Sequence, residues 1–206
     1  LENCPAPVIA VKECNLPEAE YKFKLDEPNV CLMDMAAWSW NGGEEQPVQE
    51  VLRVDDAVRD LLGIERRGGE MLQPWFAKNA YSKPYGTLRL KYRFNCEVLP
   101  KGQVYLAGER PQEQRYSING VTLTAPDITD WWADNAFIKM PVPEGAIRLG
   151  ENVVEIETEF KRTTNIEALY LLGDFGVSMG ADCVNTVTEM PATITMEGLQ
   201  RGVLPF

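Results

Sequence analysis

The sequence contains no histidine in its 206 residues. This absence excludes Ser-His-Asp and Cys-His nucleophilic catalysis, HExxH zinc sites and every proton shuttle that depends on an imidazole ring. The nucleotide-binding motifs GxxxxGK[ST] and GxGxxG are missing, and so is the nucleophile motif GxSxG. An enzyme built from this chain would therefore depend on carboxylate chemistry, for which 31 aspartates and glutamates are present.

Positive charge and long apolar runs are also scarce. The 31 acidic residues outnumber 20 basic ones, so the net charge is −11 and the isoelectric point is near 4.6. Such a surface repels phosphate backbones and anionic lipids, so neither nucleic acid nor membrane is an expected partner. No run approaches the roughly 20 apolar residues of a membrane helix. No signal peptide is visible, and the start at Leu1 and apolar end at Phe206 predict a fragment of a longer polypeptide.

The five cysteines cannot all pair with one another. Cys31 and Cys96 lie in strand-like runs, where a buried thiol acts as a small hydrophobic side chain. Cys4 and Cys14 could close a short loop, which their spacing alone does not decide. No CxxC is present, so zinc-knuckle and thioredoxin-like motifs are excluded.

Residues 114–160 carry the clearest structural pattern. Apolar and polar residues alternate up to Asn119-Gly120 and resume beyond it, which predicts a β-hairpin with a type I′ turn. A second turn at 149–152 leads into another alternating run. Similar short runs separated by turn residues recur along the chain. The pattern predicts an all-β sandwich.

One segment, from about Asp55 to Leu62, has the apolar spacing of a helix. An acidic pair stands in its predicted first turn, and Gly63 follows it as the natural terminating residue. We expect this helix to belong to a loop and helix extension over 36–86, within a single domain that covers 1–206.

These motifs resemble the galactose-binding-like jelly-roll domains attached to family 2 and rhamnosidase-type glycoside hydrolases. The Asn-Gly turn and the later Gly150-Glu151-Asn152 turn carry the resemblance. It extends over nearly the whole chain through EPNVCLMDMAAWSWNGGE, VLRVDDAVRDLLGI and NIEALYLLGDFGV.

The resemblance implies a jelly-roll sandwich that binds carbohydrate without catalysing a reaction. The parent enzyme's catalytic carboxylates would then lie in a separate domain. The implied partners are an oligo- or polysaccharide and that catalytic domain, in a context of polysaccharide degradation at an extracellular or cell-surface location. No cofactor is expected; the resemblance permits a structural calcium ion, but no ligands for it are assigned.

Sugar binding requires aromatic rings that stack on the apolar face of a pyranose, and polar groups that bond its hydroxyls. The segment 130–135 offers both, as Trp131 and Trp132 stand beside Asp134 and Asn135. Neighbouring residues of an extended chain point in opposite directions. We therefore expect one tryptophan to pack inward and the other to face solvent.

A second candidate segment combines arginines with aromatic residues. Its members are Arg66, Arg67, Gln73, Trp75, Tyr81 and Tyr85. Arg66 and Trp75 are the predicted sugar contacts. In the alternative, which the sequence favours, the arginines pair with local carboxylates and the aromatic rings pack the loop onto the sandwich.

Two further pairs have a functional and a structural interpretation. Trp38 and Trp40 would share one face of an extended segment, either as an exposed platform or, more in keeping with aromatic residues, as part of the core. Glu167 and Asp174 flank an apolar run and could form a glycosidase pair. The favoured alternative is that each carboxylate holds a turn by accepting backbone hydrogen bonds.

The rival to sugar binding is a purely structural module that packs on the parent's catalytic domain and buries the same aromatic residues. Exposure separates the two hypotheses. A concave groove open to solvent favours binding, and a flat apolar patch favours docking.

Overall fold

The computed structural model describes residues 20–67, 83–124, 130–180 and 183–194. Within these ranges the chain is mostly strand, with one α-helix, α1 (Val51–Leu62), and a short 3-10 helix at Pro111–Glu113. The strands are β1 (Tyr21–Lys22), β2 (Asn29–Met33), β3 (Met35–Trp40), β4 (Gln46–Glu50), β5 (Gly86–Cys96), β6 (Lys101–Glu109), β7 (Gln114–Ile118), β8 (Val121–Leu123), β9 (Trp131–Trp132), β10 (Asp134–Pro141), β11 (Gly150–Phe160), β12 (Leu169–Asp174), β13 (Gly176–Ser178), β14 (Thr186–Thr188) and β15 (Thr193–Ile194).

The strands form two main sheets. One has five strands in the order β2-β12-β6-β10-β9. The other has eight, in the order β13-β14-β5-β11-β7-β8, with β3 beside β5 and β4 beside β3. β14 and β5 pair in parallel, whereas the remaining pairs are antiparallel, and β1 with β15 makes a separate ribbon. The predicted all-β sandwich with one helix is confirmed.

The main core lies between the two sheets and follows the two-residue period of their strands. Along β5, Leu88, Leu90, Tyr92 and Phe94 are fully buried, and the residues between them point outward. The neighbouring strand β11, in the same sheet, repeats this alternation, and β12 adds apolar side chains from the five-stranded sheet. Each such side chain contributes roughly 1.5–3 kcal/mol when it is fully buried.

Two asparagines join the predicted turns. Asn119 and Gly120 have φ of 51° and 82°, the positive values that a type I′ turn needs, and the β7–β8 hairpin is as predicted. The buried Asn152 amide accepts from Asn119 Nδ2 at 2.7 Å and from the Arg148 backbone N–H at 2.9 Å. Asn152 itself lies in β11, which begins at Gly150, so the second turn ends earlier than predicted; its Nδ2 donates to the carbonyls of Arg148 and Gly150. The residues that carried the resemblance therefore have a structural role here.

Helix α1 begins four residues before the predicted start. Glu50 caps it, as its carboxylate accepts from the backbone N–H groups of Leu52 and Arg53 at 3.1 and 3.2 Å. Asp55 consequently lies in the second turn, where it is buried, and not in the first turn as predicted. Gly63 ends the helix with φ of 64°, as expected.

Arg59 joins this helix to the sandwich. Its buried guanidinium bonds Asp55 at 2.6 Å and the Thr164 carbonyl at 2.9 Å, and it lies 5.4 Å from the centroid of the Phe160 ring. Burial raises the pKa of Asp55, although the hydrogen bond and the charge of Arg59 act to lower it. The buried ion pair and the bond to Thr164 thus fix the position of α1 on the sandwich.

Trp38 and Trp40 belong to the core. They stand opposite Leu90 and Leu88 of β5, on the face that points inward, and both pack against the main core. The Trp40 ring meets Phe160 edge to face, with centroids 6.0 Å apart. Of the two interpretations of this pair, the structural one fits the geometry.

Cys31 and Cys96 are free and buried, in line with the predicted hydrophobic role. Burial raises the pKa of the Cys31 thiol to about 12. Cys4 and Cys14 lie outside the described residues. Within those residues no helix has the length and apolar character to cross a membrane, and no group of three potential metal ligands occurs.

Candidate functional site

The outer face of the five-stranded sheet carries a second apolar cluster, separate from the main core. Its buried members are Val30, Ala107 and Leu172. Partly buried aromatic residues pack around them: Tyr105, Trp132, Phe137 and Tyr170. β6 and β12 bring apolar side chains to both of their faces, so the sheet is apolar inside and outside.

Three of these rings hold one another in place. The centroids of Trp132 and Tyr170 are 5.3 Å apart, and those of Phe137 and Tyr170 are 5.2 Å apart and nearly perpendicular. Trp132 and Phe137 are separated by 6.3 Å. Such pairs contribute about 0.5–1.5 kcal/mol beyond their burial. The packing fixes the orientation of Trp132.

A groove of about 830 Å³ lies on this face. Tyr105, Trp132 and Lys139 form its floor, together with Asp174 at the end of β12. Its walls come from two segments, 23–29 and 190–192, which the β1–β15 ribbon holds together. The groove is concave, and it is bounded on more than one side by chain from distant parts of the sequence.

A bulge in β6 shapes the floor. Leu172 stands opposite Tyr105. Two residues further along β12, Asp174 stands opposite Lys101, which is four residues from Tyr105 along β6. Gly102 lies in this bulge with φ of 73°, a conformation that glycine adopts without a steric cost. The bulge brings the Lys101 and Asp174 side chains to the same end of the groove.

Lys139 is the most constrained charged group of the floor. Its ammonium lies 5.0 Å from the centroid of the Tyr105 ring and 2.8 Å from a carboxylate oxygen of Asp130. Lys101 is different, because its side chain is 80% exposed and lies 3.7 Å from an equally exposed Glu189. The two lysines therefore differ: the Lys139 ammonium is held by its neighbours, and the Lys101 side chain is largely exposed.

The structure separates the residues of the predicted 130–135 site. Trp131 is 51% exposed and does not line the groove, whereas Trp132 is partly buried and does. The two side chains therefore point in opposite directions, as the alternation of an extended chain predicts. Asp134 accepts from the Ala136 backbone N–H at 2.8 Å, which holds a local turn, and Asn135 is exposed outside the groove lining.

The second predicted segment lies elsewhere. Arg66 follows α1 and pairs with Asp60 and Asp56 of that helix, and its hydrogen bond lowers the pKa of Asp60. Arg67 bonds Glu167 and the Ile166 carbonyl. These contacts fit the alternative in which the arginines pair with local carboxylates. Trp75, with Gln73 and Tyr81, lies outside the described residues.

Glu167 and Asp174 do not face one another, because they lie near opposite ends of β12. Glu167 is instead close to Glu109, whose pKa is raised by burial and then by the Glu167 charge. Each carboxylate has a partner, since Arg67 bonds Glu167 and the Asn165 amide bonds Glu109. Glu167 thus has a structural ion pair with a side chain, rather than the backbone hydrogen bonds that the turn-holding interpretation predicts.

Sequence reasoning missed Tyr105 and Lys139 as site residues. A usable signal was present, because 104–107 is continuously apolar and such strands are typically covered on both faces. The similar run 136–140 contains one lysine, Lys139, which lies on the same face of the sheet as Tyr105. Only the strand register brings these two positions together, with Lys139 opposite Ala107 and Pro141 opposite Tyr105.

The sequence matches no protein-family model, and neither the curated proteins nor the solved structures contain a chain that matches it.

Proposed function

We propose that this domain binds an oligo- or polysaccharide in the groove on the outer face of its five-stranded sheet. It would act as a non-catalytic, jelly-roll-type module of a larger glycoside hydrolase, which the resemblance of its sequence motifs implies. The observation that carries the proposal is the concave groove, whose floor holds Trp132 in a fixed orientation beside charged and polar side chains.

The groove offers the chemistry that a sugar requires. The Trp132 ring presents an aromatic surface for the C–H face of a pyranose. The Lys139 ammonium donates hydrogen bonds to hydroxyl groups, and the exposed Asp174 carboxylate accepts them. Of the predicted sugar contacts that the structure describes, Trp132 is the one that lines this groove, so the proposal depends on it. We expect modest affinity, because few contacts offset the entropy cost of immobilising the ligand.

Affinity electrophoresis over plant and mucin polysaccharides tests the proposal. We expect Trp132→Ala to weaken binding by at least about tenfold, as for a residue at the centre of a binding site. Trp131→Ala is the matched control, because it removes an adjacent and more exposed tryptophan outside the groove. Its binding should stay within about twofold of the wild type.

If Trp132→Ala lowers the melting temperature of the domain, Trp132→Phe replaces it in the binding test, because it keeps an aromatic side chain in the cluster. Equal loss of binding in the Trp131 and Trp132 variants would contradict the groove assignment. A wild-type domain that binds no polysaccharide would contradict the function itself.

Docking onto a catalytic domain is the second candidate, and a different surface favours it. Leu99 is 53% exposed and lies with Pro100, Pro143 and Ile147 around an apolar depression of about 610 Å³. An apolar surface of this kind suits a protein partner better than a sugar. This depression shares Gly102 and Gln103 with the Trp132 groove, so the two surfaces adjoin.

A further inference from the structure

Resting on the proposed function, we infer that the two segments that wall the groove form a strap that closes on a bound saccharide, with Phe23 as its contact residue. The strap consists of 20–28, which leads into β2, and 189–194, which follows β14. Trp132 on the floor and Phe23 on the strap both line the groove. A pyranose between them is held by two aromatic rings.

The strap is fixed to the sandwich at both of its roots. At one root the buried Asn29 side chain donates to the Phe175 carbonyl at 2.8 Å. At the other root the buried Thr188 of β14 pairs with Gly176 of β13. The roots therefore keep their places while the chain beyond them moves, which is the arrangement of a hinged cover.

Beyond these roots the described residues of the strap are weakly attached. β1 and β15 pair over two residues each and form a sheet separate from the two main ones. Within the described part of the chain, the backbone of 23–28 makes no hydrogen bond to another element. Glu189 lies 3.7 Å from Lys101 of the floor, and such an exposed pair stabilises little. A two-residue ribbon is marginal by itself, so the strap can leave the floor while the sandwich stays folded.

The strap turns an apolar side toward the groove. Over 20–26, partly buried residues alternate with exposed ones, which places Tyr21, Phe23 and Leu25 on one side of an extended segment. Phe23 and Leu25 line the groove, and Met190 lines it from the other half of the strap. Among the described residues, Phe23 belongs to neither apolar cluster, so its ring is available to a ligand.

A saccharide in the groove favours the closed position of the strap. The groove has a volume of about 830 Å³, so the strap and the floor do not fill the space between them. A pyranose that stacks on Trp132 has a second face, and Phe23 closes on it. Contacts that the strap makes after the sugar has entered slow its dissociation.

Methyl relaxation-dispersion NMR of the sugar-free domain tests the strap, because it detects the microsecond-to-millisecond motions of lids. Met190 lies on the strap and Met140 is fully buried in the core, so one sample with labelled methionine methyl groups holds both probe and control. Met190→Leu assigns the probe signal. We expect dispersion at Met190 and none at Met140. A flat profile at Met190 would overturn the moving strap.

Affinity electrophoresis over the same plant and mucin polysaccharides tests the contact. We expect Phe23→Ala to weaken binding at least about fivefold, as for a residue that touches the ligand. Its melting temperature should match that of the wild type, because Phe23 is outside both apolar clusters. Lys22→Ala is the control, since Lys22 is the preceding residue and is exposed on the other side of the strap. Its binding should stay within about twofold of the wild type.

The outcomes separate this inference from the function on which it rests. Binding that is unchanged in Phe23→Ala would overturn the Phe23 contact. Polysaccharide binding together with a flat Met190 profile would overturn the strap and leave the proposed function standing. Dispersion at Met190 in a wild-type domain that binds none of the polysaccharides would overturn the proposed function and the contact, and the moving strap would stand.

Discussion

The two outer faces of this sandwich differ in character, because the strands of the eight-stranded sheet alternate whereas β6 and β12 of the five-stranded sheet are apolar on both faces. On the eight-stranded sheet, Arg89 and Lys91 of β5 stand opposite Glu157 and Glu155 of β11, and Arg115 of β7 also reaches Glu157. On the five-stranded sheet the outward positions hold aromatic rings. A ladder of opposite charges needs no cover, whereas partly buried rings beside a groove offer a surface to a ligand. Function is therefore expected on the aromatic face.

The contrast depends on a strand register that keeps each residue on its own face, and the Asn119–Asn152 network holds that register. Asn152→Ala should cost about 3 kcal/mol, because several buried groups lose their hydrogen-bond partners at once. Urea denaturation measures the loss. Asn135→Ala is the control, since that amide is exposed, and it should change the stability little.

The aromatic face should contribute to both stability and binding. Phe137→Ala removes a ring that contacts Trp132 and Tyr170, so we expect a loss of about 2 kcal/mol, below the cost at a fully buried site. Sugar binding should weaken with it, because Trp132 loses the neighbour that orients it. Stability from urea denaturation and affinity from titration should fall together. Unchanged affinity would mean that the ring cluster does not shape the site.

The charged face should contribute much less. Glu157→Gln breaks contacts with two arginines that are 59% and 84% exposed, and we expect a cost under about 1 kcal/mol that fades at high salt. Sugar binding should not change. A measurable loss of affinity in this variant would break the division between the two faces.

The smallest expected effect is the pH dependence of stability that comes from Glu109, at the end of the aromatic face. Burial and the Glu167 charge raise the pKa of Glu109, so the folded state holds that proton more tightly than the unfolded state does. The contribution of Glu109 to stability is therefore greatest at low pH and declines as the pH rises from its unfolded pKa through its folded pKa. Glu109→Gln removes this dependence and keeps an acceptor for Asn165.

Thermal melting of both proteins from about pH 4 to about pH 8 provides the test. The melting temperature of the wild type, relative to that of the variant, should decrease across this range. A difference that stays constant with pH would show that the Glu109 pKa is not raised.

Local patterns predicted the secondary structure of the described residues well. The Asn119-Gly120 hairpin, the helix ending at Gly63 and the alternating strands follow from residue type and spacing. The predicted start of α1 was wrong for two reasons. Glutamate is an uncommon capping residue, and the acidic Asp55 suits the first turn of a helix although here it is buried in the second. Local reasoning also predicted that Trp131 and Trp132 diverge, but not which of them packs inward.

The site needed information that spacing does not contain. Trp132 turns inward because Phe137 and Tyr170 lie beneath it, and Tyr170 is distant in sequence. Tyr105 and Lys139 meet through the pairing of β6 with β10. The walls of the groove likewise come from opposite ends of the chain. Such contacts arise from strand order, which no local motif encodes.

The central claim is that a saccharide occupies the groove on the aromatic face, and hydrogen exchange with and without a bound polysaccharide tests it most directly. We predict slower backbone exchange in 23–29, 101–105 and 137–141, with no change along β5 and β11 on the charged face. Protection confined to β5 and β11, or protection nowhere while the sugar is bound, would contradict the account.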